Sequence, residues 1–398
     1  MRRPSFASSI CCIIAAAALT ACSSDTGPSG SGRLTDRLVA GADFTCALNH
    51  AGAAFCWGAG AAGQLGDGER SESAVPVRVD GGPYVRLTAT GQHACGLRAD
   101  GRAECWGIAI SHCCAQTQDT LAVPTAVATS TRFSLISIGE VSACGIDAAQ
   151  HAFCWGDQSL GGLGSGVDAD TAIPPLAPVA GGHAFAILSE GVFGGCGLDT
   201  GGQAWCWGAN LFGELGIGGQ VDTVALAPLA VSGGLRFTQL AVGGAYACGV
   251  TTTGLTECWG VNVAGALGDS TMIDHSVPAP VVHANFVAAF AGGKNDILDH
   301  TCGLDASGAA SCWGANDFGQ LGAASTETCH FAAGEACSTA PVSVVGGLMF
   351  TTLALGDAHT CGLVADGHVY CWGRNDDGEL GDGTTAPSAA PVLSQFVP

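Results

Sequence analysis

Apolar and polar positions follow one plan seven times along this chain. An apolar stretch such as Thr351-Thr-Leu-Ala-Leu355 comes first and stops at a glycine, here Gly356. Two more short apolar segments follow, one on each side of a small polar turn at Ala365-Asp-Gly367. A glycine-rich turn comes next, Asn375-Asp-Asp-Gly-Glu-Leu-Gly-Asp-Gly383, then a loop of variable length and a Pro-Val segment, Pro391-Val392. Every apolar run has strand length, and helical periodicity is almost absent. The pattern predicts four short antiparallel strands per unit. Four-stranded units repeated radially make a β-propeller. Seven units suit a closed ring, and no polar capping repeat of the kind an open solenoid needs is visible. The predicted fold is therefore all-β, a seven-bladed propeller, with the body at residues 34–398.

The cysteines sharpen this picture. A Cys-Trp-Gly triplet starts at Cys56, Cys105, Cys154, Cys206, Cys258, Cys312 and Cys371. Each has a partner ten residues earlier, at Cys46, Cys95, Cys144, Cys196, Cys248, Cys302 and Cys361. That spacing never varies, whereas successive triplets lie 49, 49, 52, 52, 54 and 59 residues apart. A three-residue hairpin loop wants a left-handed residue last. Gly52, Gly101, Gly202, Gly254, Gly308 and Gly367 hold that place, with Gln150 the exception. Counting outward from the turn puts each cysteine pair at a non-hydrogen-bonded position, where facing side chains come closest. An intra-hairpin disulfide is expected in each repeat, worth about 2–3 kcal/mol. Buried free thiols are the alternative. Of the other cysteines, the plainest pairing is Cys329 with Cys337, clipping the longest variable loop, Ala323 to Ala340, although these two and Cys113 and Cys114 allow three pairings between which the sequence does not choose. Cys113 and Cys114 would form a vicinal bridge or remain thiols.

The amino end has its own logic. Met1-Arg-Arg3 precedes an apolar run from Ile10 to Leu19, too short to span a membrane, followed by Leu19-Thr-Ala-Cys22. This resembles a bacterial lipoprotein signal with its lipobox. The resemblance implies a lipid anchor on Cys22 as the first mature residue and, with Ser23 next, an outer-membrane address in the cell envelope. An ordinary cleaved signal beside a coincidental cysteine is the alternative. Residues 23–33 read as a Gly/Ser/Pro tether.

Charge narrows the partners. The chain has 34 acidic against 13 basic residues, a formal charge of −21, and Lys294 is its one lysine. Nucleic-acid binding needs cationic surface, so no nucleic-acid partner is expected. The sole membrane contact expected is the lipid anchor. No Gly-x-Ser-x-Gly, phosphate loop or spaced metal-ligand pair stands out. His93, His300 and His359 recur two residues before a cysteine, where other units have Phe44, Ser142, Gly194 and Tyr246. Repetition around a ring predicts hydrogen bonds to the neighbouring blade, not catalysis. The Cys-Trp-Gly tryptophans are expected to fill the gaps between blades. No enzyme activity, metal or cofactor is predicted.

The ordered recurrence of His-x-Cys-Gly-Leu, Asp-Gly, Cys-Trp-Gly, Asn, Gly-Gln-Leu-Gly and Pro-x-x-Val resembles the regulator of chromosome condensation repeat over essentially the whole body. Asn210, Asn262, Asn316 and Asn375 and the runs Gly63–Gly66 and Gly319–Gly322 carry the best matches. The resemblance implies a seven-bladed propeller whose sequence repeats are offset from its blades. By family precedent it implies protein binding; guanine-nucleotide exchange, the founding member's activity, is the alternative reading. An exported location argues against exchange, and the Trp-Arg-His-Thr motifs of a plant ultraviolet sensor in the family are missing. The expected function is a non-enzymatic scaffold that presents variable loops to a protein partner; a glycan ligand or a structural envelope role are the other readings. The departures from the repeat mark the candidate loops: His112 in the second unit, the insertion with Lys294 and Asp296, and His330 and Phe331 in the longest loop.

Overall fold

The computed structural model describes residues 34–110, 120–168, 175–192, 194–219, 221, 223–293, 299–325, 327–329 and 335–398. They form seven antiparallel sheets, in which spatial order follows chain order except at one edge of the sixth. The first blade shows the plan: Leu38–Ala40 innermost, then Phe44–Leu48, Ala54–Gly58 and Ser73–Arg78. The sixth blade adds a fifth strand, Glu327–Cys329, which folds back along the outermost strand Glu335–Ser343. No helix among the described residues is long and apolar enough to cross a membrane.

The hairpin geometry follows the sequence reading. Each cysteine faces its partner in register, with Cα atoms 4.0–4.1 Å apart, and all seven hairpin disulfides are formed. Cys329 and Cys337 are joined as well, Cα to Cα 5.8 Å, inside the extra hairpin of blade 6. The left-handed turn position is left-handed in every blade. Even Gln150 adopts φ 68°, so the backbone demand survives where the glycine is lost.

Blades join through tryptophan. The seven Cys-Trp-Gly rings are wholly buried. Six of them donate their indole N–H to a backbone carbonyl in the glycine-rich turn of the preceding blade, for example Trp106 to Gln64 at 2.9 Å and Trp259 to Glu214 at 3.0 Å. Trp155 is the seventh. The blade before it has lost the glycine-rich turn, and no acceptor for Trp155 Nε1 stands among the described residues. Trp106→Phe should therefore cost about 1 kcal/mol more than Trp155→Phe in urea denaturation, since only the first leaves a lost hydrogen bond behind. Equal costs would contradict this account of the joint.

Among the described residues the ring closes without exchanging a strand. Blade 7 meets blade 1 through the contacts used at other seams: Asp357 N–H to Ala42 O at 3.0 Å and Trp57 Nε1 to Glu379 O at 2.8 Å. One side chain comes from the far end of the chain. Each buried tryptophan packs against an aromatic ring 5.5–6.1 Å away: Tyr84, Phe133, Phe185, Phe237, Phe286 and Phe350 for blades 2 to 7. For blade 1 the ring facing Trp57 is Phe396, at 6.1 Å. The last blade thus hands its aromatic ring to the first.

Candidate functional site

The meander gives the propeller two unlike faces. On one, five of the seven hairpin turns bind the link to the next blade by a repeated bond: Gly52 O to Tyr84 N, Gly101 O to Phe133 N, Gln150 O to Phe185 N, Gly202 O to Phe237 N and Gly308 O to Phe350 N, all 2.8–3.0 Å. This face is regular. The other face carries the loops after the first and third strands of each blade. Backbone bonds tie the two loop origins together, as in Ile108 N to Gln92 O at 3.0 Å and Ala315 N to Asp299 O at 2.9 Å.

All the sequence-selected departures begin and end on this second face. The strand ends that bound residues 111–119, 294–298 and 330–334 belong to it. His112, Lys294, Asp296, His330 and Phe331 themselves lie outside the described residues, as do Cys113, Cys114 and the anchor candidate Cys22. The structure therefore assigns the face on which these segments start, not a constellation of side chains.

In four blades the glycine-rich turn that supports this face is built on one buried amide, Asn210, Asn262, Asn316 or Asn375. Asn262 Oδ1 accepts from Leu267 N at 2.9 Å, and its Nδ2 donates to Thr271 O and Ile273 O, both at 3.2 Å. Asn375 does the same with Leu380 N and with Thr384 O and Ala386 O. One side chain thereby fixes both the turn and the root of the variable loop. Blade 3 has Gln158 instead. Its Nε2 reaches Val167 O at 2.9 Å, but its buried Oε1 finds no partner, so the longer amide performs half the task. The repeating histidines bridge blades, as the sequence predicts: His93 Nε2 lies 3.0 Å from Gly139 O, His300 Nε2 2.9 Å from Thr360 Oγ1, and His359 Nε2 2.9 Å from Thr45 Oγ1.

The centre of the ring is acidic. Among the described residues, the acidic side chains lining the channel are Glu140, Glu190 and Asp357, and no described lysine or arginine joins them. At the seam of blades 7 and 1, Asp43, Asp377 and Glu379 converge within 4.8 Å. A cation is already present there. Arg374 Nη1 lies 3.1 Å from Asp43 Oδ1 and its Nε 3.9 Å from Glu379 Oε1.

Two buried groups give the seams opposite pH dependence. Burial pushes the Glu190 carboxyl up to about 8, against a weaker opposing bond from Ser142. It is protonated near neutrality, with Oε1 unpartnered. Because its folded value lies above its unfolded one of 4.5, its contribution is full below that value and is lost as pH rises towards 8. Burial, with His300 and Arg374 nearby, holds His359 down at about 3. Its contribution is full above pH 6.5 and is lost as pH falls towards 3. Glu190→Gln should therefore raise the melting temperature at pH 9 and leave it nearly unchanged at pH 5. A parallel shift at both pH values would refute a buried neutral carboxyl.

Comparison with known proteins follows the same lines. Profiles of the Regulator of chromosome condensation (RCC1) repeat match residues 51–97 and 366–398, and residues 298–320 and 350–379. The match at 51–97 runs from the hairpin of blade 1 into the second strand of blade 2, which is the expected offset of repeat from blade. The chain is 24% identical to the ultraviolet-B receptor UVR8 of Arabidopsis thaliana, over 89% of this chain and 80% of the receptor. It is 30% identical to the probable E3 ubiquitin-protein ligase HERC4 of Homo sapiens over 50% of this chain, but that region is 18% of the ligase. The fold is shared with Prp20p of Saccharomyces cerevisiae, a protein described with its binding to Gsp1p and histones: TM-score 0.65 at 17% identity, covering 80% of each chain.

Proposed function

From a chain that carries regulator of chromosome condensation repeats and folds as a seven-bladed propeller, we propose a non-enzymatic scaffold that presents the variable loops of one face to a protein partner. One observation carries the reading: the large departures from the repeat selected in the sequence start on a single face, while the opposite face keeps the repeated turn-to-link bond at five of its seven turns. Rigid scaffolds that leave loops free to vary place recognition there. The yeast relative Prp20p, with its binding to Gsp1p and histones, supports a protein as the partner class. The acidic charge of −21 disfavours nucleic acid. Guanine-nucleotide exchange rests on fold likeness alone, and added chain releasing labelled GDP from a small GTPase would revive it.

The proposal includes residues 1–22 as a lipoprotein signal, Cys22 as the anchor, 23–33 as a tether and an outer-membrane location. Cys22→Ser should release the protein from the membrane fraction into the soluble one; retention in the membrane would remove the anchor.

Cross-linking in intact envelopes tests the scaffold. The full chain is compared with one shortened within 326–334 and carrying Cys337→Ser, which spares the outermost strand of blade 6. A partner captured by the first and lost by the second, still folded, places the contact in that loop. The same capture by both moves it elsewhere on the face, and no specific capture by either overturns the reading.

A further inference from the structure

Glu190 is the one ionisable residue at its place in the ring. It ends the innermost strand of blade 4, where the other six blades have Ala40, Thr90, Ile138, Val242, Ala291 and Leu355. Its buried carboxyl lies in the seam against blade 3. Ser142 Oγ donates to Oε2 at 3.5 Å, and Oε1 has no partner. A carboxyl oxygen of Glu190 lies within 4.8 Å of the sulfurs of both Cys144 and Cys154. Among the described residues, no other hairpin bridge has an acidic side chain as close. The backbone makes room for this contact. Gly195 pairs with Glu190 across the two inner strands, and a Cβ there would stand 2.2 Å from Oε1. The other blades carry alanine or threonine at that place, as at Ala143 and Thr301. Blades 3 and 4 are also lightly fastened. The outermost strand of blade 3 is two residues, Ala177–Pro178, against six or more in every other blade. Trp155 Nε1 has no acceptor. Two positions before the first hairpin cysteine, other blades send a side chain across to the next: His93 to Gly139 O, Tyr246 to Gly292 O, His300 to Thr360 and His359 to Thr45. Blade 4 has Gly194 there, with no side chain to send. Segments with few such fastenings open at lower free energy than the rest of a fold.

We infer that Cys144–Cys154 is a redox-active site, reduced by a dithiol before the other hairpin bridges, with the Glu190 carboxyl as proton donor to the departing sulfur. The inference goes beyond the scaffold reading and does not depend on it. A disulfide is reduced when a thiolate attacks one of its sulfurs, and the step is faster when the other sulfur leaves easily. Here a thiolate of the dithiol bonds to one sulfur of the bridge. The S–S bond breaks, its electron pair goes to the other sulfur, and that sulfur takes the proton of Glu190. The freed cysteine rotates about Cα–Cβ, as a bridged one cannot, and so comes within reach of the carboxyl. The dithiol's second thiol then displaces the first sulfur, which leaves as a thiol. The dithiol departs as a disulfide, two electrons have passed to the bridge, and Glu190 regains a proton from water. Glu190 lines the channel, a space of about 200 Å3, which brings a small dithiol to the edge of this seam. Opening of the lightly fastened blades then exposes the bridge, which is buried in the closed ring.

The test treats the folded full chain with dithiothreitol near neutral pH and without urea. Freed thiols are blocked with N-ethylmaleimide at intervals and mapped by mass spectrometry of a digest. Cys144 and Cys154 should be labelled about fivefold faster than any other hairpin pair, or more. Glu190→Gln keeps the shape of the side chain without an acidic proton. It should slow labelling of that pair about tenfold and leave the other six pairs unchanged. Glu190→Val, which places there the residue blade 5 carries at Val242, serves if the first variant folds poorly. A Cys144–Cys154 bridge reduced no sooner than the others overturns the site. Equal rates in the natural chain and the folded variant, or a slowing shared by all seven pairs, overturn the proton donor.

Discussion

Reduction of the hairpin disulfides is expected to unfold the protein at a urea concentration that leaves the oxidised form intact. Each of the seven bridges closes a short loop worth about 2–3 kcal/mol. Together they exceed the net stability of about 5–15 kcal/mol that a folded domain keeps. Both cysteines of a pair are buried against the next blade, as Cys46 and Cys56 are beside Trp106. Losing the bridges thus loosens every seam at once. Circular dichroism with and without dithiothreitol measures the effect. A reduced protein with the same urea midpoint would contradict it.

A single methyl group at a blade joint is expected to cost nearly as much as a deleted core side chain. The glycine after the buried leucine of each glycine-rich turn, at Gly66, Gly164, Gly216, Gly268, Gly322 and Gly381, lies under the next blade's tryptophan. At Gly268, φ is +68°, and an added Cβ would stand 2.6 Å from Trp313 Nε1. Gly182 is the matched control: its φ is +64°, and nothing lies within 4 Å of its added Cβ. Gly182→Ala should cost about 1–2 kcal/mol for the left-handed backbone alone. Gly268→Ala should cost about 1–3 kcal/mol beyond that, because the indole is wedged between blades and held to Ala266 O at 2.8 Å. Equal losses in urea would mean that the joint yields freely.

The first of these effects was legible before any coordinates, because the cysteines behind it recur; the second was not, since the glycine-rich turn was visible but not that one of its glycines lies under a tryptophan. Cysteines ten apart and a glycine at a fixed place announce a hairpin, and seven copies announce a ring. What the sequence withheld was whatever occurs once. Phe396 closes the ring in place of a residue that blade 1 lacks. The clue was present: Tyr84, Phe133, Phe185, Phe237 and Phe350 each stand eleven residues before a cysteine, and the corresponding residue in the first unit is Thr35. Glu190 carried no comparable signal, since its protonation comes from burial at a seam and not from any motif. Gly194 was visible as a departure, yet its meaning appeared only once the other blades showed a side chain crossing at that position. The candidate loops could be selected by their departures from the repeat, but their common face follows from the order of strands in each sheet.

The central claim is that one face recognises a protein. It is tested most directly by placing a photoreactive benzoylphenylalanine at single exposed sites on each face: Phe212 and Asp376 on the variable face, Asp100 and Asp366 on the regular one. Irradiation in intact cells should yield the same covalent partner from the first two sites and none from the others. A partner captured from Asp100 and Asp366 alone, or equally from all four, would contradict the account.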